Sequence, residues 1–293
     1  MPRFSRILIA AALVMPVACV PASEEAAPKG AFTIVTQPSP ATRGEPFVTS
    51  DGWTIRVETL VLLSWFDSFP SDKVGIQGEG GEWLFRATTP IEAVVRAIPI
   101  GPTTAMLRLG FGGGSETFTN NRTTLLGADA ATEARFKAPA DGEPPSEGDC
   151  TTSPNDCSFS LGPSFWVKAT ATRDGRRIAL DLALLAHGFK DELRIPTEVR
   201  ANTTTPVPVA VLAEQFFTNP AGALVFDDIA AADRDNDGRV SVEELLTTDA
   251  LYVPSPDPSL FPDDDPPSPP SADTPPSVLE VLSGRQGFFQ AAP

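Results

Sequence analysis

The 293-residue chain contains one histidine, one tyrosine, three cysteines and three methionines, and its 22 lysines and arginines are outnumbered by 38 aspartates and glutamates. Each shortage closes off a kind of chemistry. His187, in Leu185-Ala186-His187-Gly188-Phe189, is the sole histidine, and no Gly-x-Ser-x-Gly elbow accompanies it, so a histidine-based triad has little support. Without a second cysteine pair or a histidine near Cys150 and Cys157, a zinc site is poorly provided for. A formal charge of −16 repels a phosphate backbone and argues against nucleic acid as a partner. The glycine-rich stretch 110–115 lacks both the lysine of a phosphate loop and the third glycine of a dinucleotide fingerprint, and reads as a turn. No apolar run reaches the ~20 residues of a membrane-spanning helix.

The N-terminal apolar run, residues 7–17, is about half that length. Preceded by Arg3 and Arg6 and followed by small residues, it reads as a secretory leader over residues 1–18. Two readings of its end stand side by side. Val17-Ala18-Cys19 resembles the lipobox of bacterial lipoproteins, with Pro16 where that motif usually has leucine; Cys19 would then be lipidated and hold the protein to a membrane. Cleavage after Val20-Pro21-Ala22 would instead release a soluble secreted product. Either way the expected location is the cell envelope, as an outer-membrane-anchored lipoprotein, or the extracellular space. Cys150 and Cys157 remain as an even pair with six residues between them, the spacing of one short disulfide in an oxidising compartment.

Residues 19–45, rich in Ala, Pro, Ser and Glu, read as a flexible tether. Over residues 46–212, short alternating or apolar runs are separated by Gly, Pro and Asn, which predicts a mainly β fold, an antiparallel β-sandwich. Strands are expected from Thr54 onward, exposed on one side and then buried, and over 83–87, 92–100, 104–111 and 133–136. Phe165 to Thr172 and Arg177 to Leu185, joined through Arg173-Asp174-Gly175-Arg176, form the clearest hairpin. Residues 198–201 and 207–211 add strands, with Pro206 and Pro208 assigning the second to a border.

Residues 213–252 carry the most specific pattern. In Asp233-Arg234-Asp235-Asn236-Asp237-Gly238-Arg239-Val240-Ser241-Val242-Glu243-Glu244, oxygen donors stand at positions 1, 3, 5, 7, 9 and 12 and glycine at 6. That is the calcium loop of an EF-hand. The expected ligands are the carboxylates of Asp233, Asp235 and Asp237, the Arg239 carbonyl, Ser241 directly or through water, and both oxygens of Glu244. Ser241 and Glu244 also suit a capping box, which is compatible with binding. Flanking helices are expected over 221–232 and 242–251. Residues 253–276 are proline-rich, with a solvated acid run at Asp263-Asp264-Asp265, and 277–293 predicts a short helix with Phe288 and Phe289 docking on the domain.

The leader, the Asp51-Gly52-Trp53 strand start, the Trp166 hairpin and Phe226-Asp227-Asp228-Ile229-Ala230-Ala231-Ala232-Asp233 running into one loop together resemble bacterial secreted lipoproteins of uncharacterised function with a single C-terminal EF-hand. Histidines that such relatives carry before the entering helix are absent from residues 209–217, so no histidine-metal role carries over. Dockerins, with two duplicated loops, do not fit. A single hand leaves Val240 without the second loop it would pair with, so the β-domain, or a second copy, should fill that place. The function this implies is a calcium-stabilised binding or structural module with a protein or glycan partner. A carbohydrate-active hydrolase using paired carboxylates is the alternative.

Overall fold

The computed structural model describes residues 29–70, 81–88, 90–109, 123–141, 162–185, 192–219, 222–250, 277–283 and 287–292. Cys19, Cys150, Cys157, His187, the glycine-rich stretch 110–115 and the proline-rich segment 253–276 lie outside the described residues.

The fold is mainly β. Its organising strand is β3 (Thr54–Pro70), 17 residues long, which pairs along one side with β8 (Phe165–Arg173) and then β6 (Gly101–Leu109), and along the other with β2 (Phe47–Val48) and then β4 (Gly81–Arg86). β10 (Glu192–Val199) extends the sheet beyond β6, β7 (Thr123–Leu126) beyond β4, and β9 (Arg176–Leu184) beyond β8. A second sheet has the order β12-β11-β1-β5, where β1 is Lys29–Pro38, β5 Glu92–Pro99, β11 Thr204–Val211 and β12 Phe289–Ala291. Inner-face residues of both sheets, among them Phe32, Ile34, Leu60, Leu62, Phe85, Leu107, Val167, Leu180, Val207 and Val209, belong to one apolar core.

A bulge sets the faces of β3. The pairing with β8 shifts between Val57 and Thr59, so Ile55 and Val57 share the main core with Leu60 and Leu62, on the opposite parity. Val61 and Leu63 then point outward, where Leu84 and Phe136 cover them. The strand is thus half exposed at its start and buried on both faces from Leu60 to Ser64, as its sequence implies.

Several expectations are corrected. The sheets are not purely antiparallel: β1 runs parallel to β11, and β4 parallel to β7. Parallel neighbours need long connections, and these pairs are far apart in sequence. The tether does not extend to residue 45, because β1 lies between β11 and β5 with Phe32 and Ile34 fully buried. Residues 133–136 are not a strand but part of the helix Ala130–Lys137, which Asp129 caps by accepting from the Thr132 N–H at 2.8 Å. The 221–232 helix contracts to Asp227–Ala232: Gly222 has φ +80°, and the Asn219 side chain accepts from the Ala223 N–H, making a turn where a helix was expected. The 242–251 helix stops at Leu246, where the hydroxyls of Thr247 and Thr248 bond back to Glu243 and Glu244 carbonyls.

Other readings hold. The hairpin turns through Asp174 (φ +50°) and Gly175 (φ +81°), the left-handed pair that a two-residue turn requires. β11 is a border strand only in part, since β12 pairs with Val209–Val211 on its outer side. The Pro208 carbonyl accepts from Ala292 on that side, so the N–H groups that Pro206 and Pro208 lack also point away from β1. The helix Val278–Ser283 follows, and Phe288 and Phe289 are buried in the core. Among the described residues no helix is long and apolar enough to cross a membrane.

Candidate metal centre

The acidic segment is a loop between two short helices, Asp227–Ala232 and Val242–Leu246. Helices of six and five residues do not persist alone in water. Each is held from outside or by its own cap. The first has no capping side chain of its own; Asp51, from the turn before β3, accepts from the N–H groups of Phe226 and Asp227, both at 2.7 Å. Burial pushes the Asp51 carboxyl up, but these bonds and the Thr49 hydroxyl outweigh it and hold the group below the usual aspartate range. Trp53 donates from Nε1 to Asp227 at 2.9 Å, and its ring packs on Phe226 with centroids 5.0 Å apart. Arg173 bonds the same Asp227 at 2.8 Å while lying over the Trp53 ring. The second helix begins with a full capping box. Ser241 Oγ accepts from the Glu244 N–H, and Glu244 Oε2 accepts from the Ser241 N–H and hydroxyl, each at 2.8 Å.

Between these anchors the loop turns inward on its carboxylates. Asp233, Asp235 and Asp237 bring one oxygen each to within 4.8 Å of one another. Asp233 is buried and the other two are exposed. Local bonds set the curvature: Asp235 accepts from the Asp237 N–H at 3.0 Å, Asp237 from the Arg239 N–H at 2.7 Å, and Asp233 Oδ1 faces the Gly238 N–H at 3.4 Å. Asn236 (φ +58°) and Gly238 (φ +80°) supply the left-handed steps. Glu244 Oε1 reaches back to the Arg234 N–H at 3.2 Å, tying the end of the loop to its beginning. The Ser241 N–H and hydroxyl, against slight burial and with help from Arg234, keep the Glu244 carboxyl below the usual glutamate range, so it is an anion at neutral pH.

The structure therefore gathers the three aspartates, and places Asp235, Asp237, Ser241 and Glu244 around one open depression. Arg176 of β9 donates to Asp233 Oδ2 at 2.8 Å and to the Ala230 carbonyl at 3.0 Å. That leaves Oδ1 facing the loop interior, as a carboxylate that binds a cation through one oxygen would. Glu244 keeps lone-pair capacity beyond its bonds to Ser241 and Arg234. A hard cation with oxygen ligands fits this donor set, and the set holds no nitrogen or sulfur donor for a softer metal.

The partner of Val240 is the β-domain. Ala179 of β9 donates to the Gly238 carbonyl at 2.9 Å, and its carbonyl accepts from the Val240 N–H at 3.3 Å, with Val240 buried. The supporting residues Asp51, Trp53, Arg173 and Arg176 carry no metal-site signature in sequence. Asp51-Gly52-Trp53 reads there as a strand start. The depression lined by Arg43, Arg56, Glu58 and Thr88 contains a single carboxylate and does not offer the acid pair of a glycoside hydrolase. Comparison of the chain with protein-family models, curated proteins and solved structures finds no match to any of them.

Proposed function

We propose that this is an exported calcium-binding protein, a β-sandwich module in which one EF-hand-type loop acts as a structural clamp. The convergence of Asp233, Asp235 and Asp237 within 4.8 Å carries the reading. Three carboxylates at alternate positions repel one another unless a cation offsets them. Calcium would be held by those groups with the Arg239 carbonyl, Ser241 and Glu244, and it supplies charge neutralisation and rigidity, not chemistry on a substrate. Envelope location through a lipid on Cys19 and a disulfide between Cys150 and Cys157 belong to the same proposal, supported by the leader-like start and the cysteine count.

A clamp is favoured over a sensor because a sensing hand opens a groove, often methionine-rich, by swinging its helices. Here Phe226, Ile229 and Leu245 of the helical pair are buried in the common core, and two of the three methionines, Met1 and Met15, lie in the leader. Loops of extracellular modules bind calcium at roughly 10⁻⁴ to 10⁻³ M. Calorimetric titration should show one saturable site of about that affinity, weakened at least tenfold in Asp235→Asn. Absence of binding in the parent chain, or equal affinity in the variant, would overturn the reading.

A further inference from the structure

The outer edge of β9 is closed by two separate pieces of chain. Toward its C-terminal end, Asp141 donates from its backbone to the Ala183 carbonyl at 2.8 Å and accepts from the Ala183 N–H on its carboxylate at 2.7 Å. Toward its start, the acidic loop bonds both backbone groups of Ala179. Backbone groups alternate along a strand, so Arg177, Ala179, Asp181 and Ala183 all present theirs to this edge while their neighbours face β8. Among the described residues, the loop lies against this edge at Ala179 and, through Gly238, at the Arg177 carbonyl.

We infer that the loop is a calcium-dependent guard of this edge, and that withdrawing the cation lets two copies of the chain join through β9. The inference rests on the calcium reading above. Without the ion, three carboxylates remain within 4.8 Å and their repulsion favours opening of the loop. The groups then released are the N–H and C=O of Ala179, and an open strand edge is a template for another strand.

A second copy fits this edge because the edge is complementary to itself. In antiparallel register with Ala179 opposite Ala179, each Arg177 lies opposite an Asp181, whose carboxylate is held in its own chain by Lys168 at 2.9 Å and by the Trp166 indole N–H at 2.7 Å, so each Arg177 would join an existing Lys168–Asp181 pair on either side of the two-fold axis. The Arg177 and Asp181 side chains are exposed and stand on the solvent face of the sheet. The two Ala179 residues would exchange with each other the bonds they now make to Gly238 and Val240. Opening need only be local, since Phe226, Ile229 and Leu245 keep the helices in the core.

The test is the mass of the full chain by light scattering in millimolar calcium and in excess chelator, beside a calorimetric calcium titration. A single-copy mass in calcium that doubles reversibly in chelator is expected. Arg177→Glu, which sets glutamate opposite aspartate, should keep the chain single in chelator. Combining it with Asp181→Arg should restore the doubling. Asp181→Lys repeats the single test from the other side should Arg177→Glu fail to fold, which circular dichroism in calcium would reveal. A chain that binds calcium yet stays single in chelator overturns the guard and leaves the calcium reading standing, as does a doubling indifferent to both single substitutions. A chain that takes up no calcium overturns both.

Discussion

Gly238 is where the loop presses hardest on the sheet. Its φ is +80°, and a Cβ there would stand 2.9 Å from the Arg177 carbonyl oxygen, nearer than real Cβ atoms come to backbone. Gly238→Ala combines a left-handed penalty of about 1–2 kcal/mol with a clash that pushes the loop from β9. A lower melting temperature and weaker calcium binding are expected, and an unchanged transition would show that the loop does not rest on the strand as described. Asp233 poses the opposite problem, a buried carboxylate that needs partners, and Arg176 meets it from the sheet side at 2.8 Å. The cation would meet it from the loop side.

The helix Asp227–Ala232 depends on a cap 175 residues away in sequence, since Asp51 accepts from Phe226 across the fold. Asp51→Ala should destabilise by about 1 kcal/mol, the usual worth of such a cap. Asp51→Asn should retain part of the bonding and lose its pH dependence. The folded Asp51 carboxyl titrates below its unfolded value of ~3.9, so its stabilisation is complete above that value and is lost as pH falls through the depressed one. Denaturant unfolding at neutral pH and in the acid limb checks this: the difference between parent and Asn variant should shrink toward acid, and parallel profiles would contradict the cap.

Taken whole, the molecule is a set of sheets whose core continues beneath the helical pair, with Phe216, Phe217, Phe226, Leu245 and Phe288 all in the same apolar cluster as Phe32 and Leu62. What was legible in the sequence was local. The Asp174-Gly175 turn, the alternation and then continuity of β3, and the spacing of Asp233, Asp235, Asp237 and Glu244 are each written within a few residues of one another. Phe288 and Phe289 show their docking as an aromatic pair just after the helix-breaking Gly284 and Gly287. What was not legible depends on distant partners: β1 is a strand because β11 lies beside it, Glu58 is bulged because β8 imposes a register, and Asp51 is a cap because the chain returns to it. The helix is not legible within residues 133–136 alone, because the Asp129 cap and the Glu133–Lys137 pair, both helix signals, lie just outside or at the border of that window.

Since the loop bonds β9 and its helices lie in the core, calcium should stabilise the entire fold and not the loop alone. Binding to the folded state contributes about 1.4 kcal/mol at ten times Kd. The direct test is the melting temperature of the full chain in saturating calcium and in chelator, for the parent and for Glu244→Gln, which removes one carboxylate charge from the closing position. A higher transition in calcium is expected for the parent, and little or no response in the variant. An identical transition in calcium and in chelator for the parent, or an equal rise in Glu244→Gln, would contradict it.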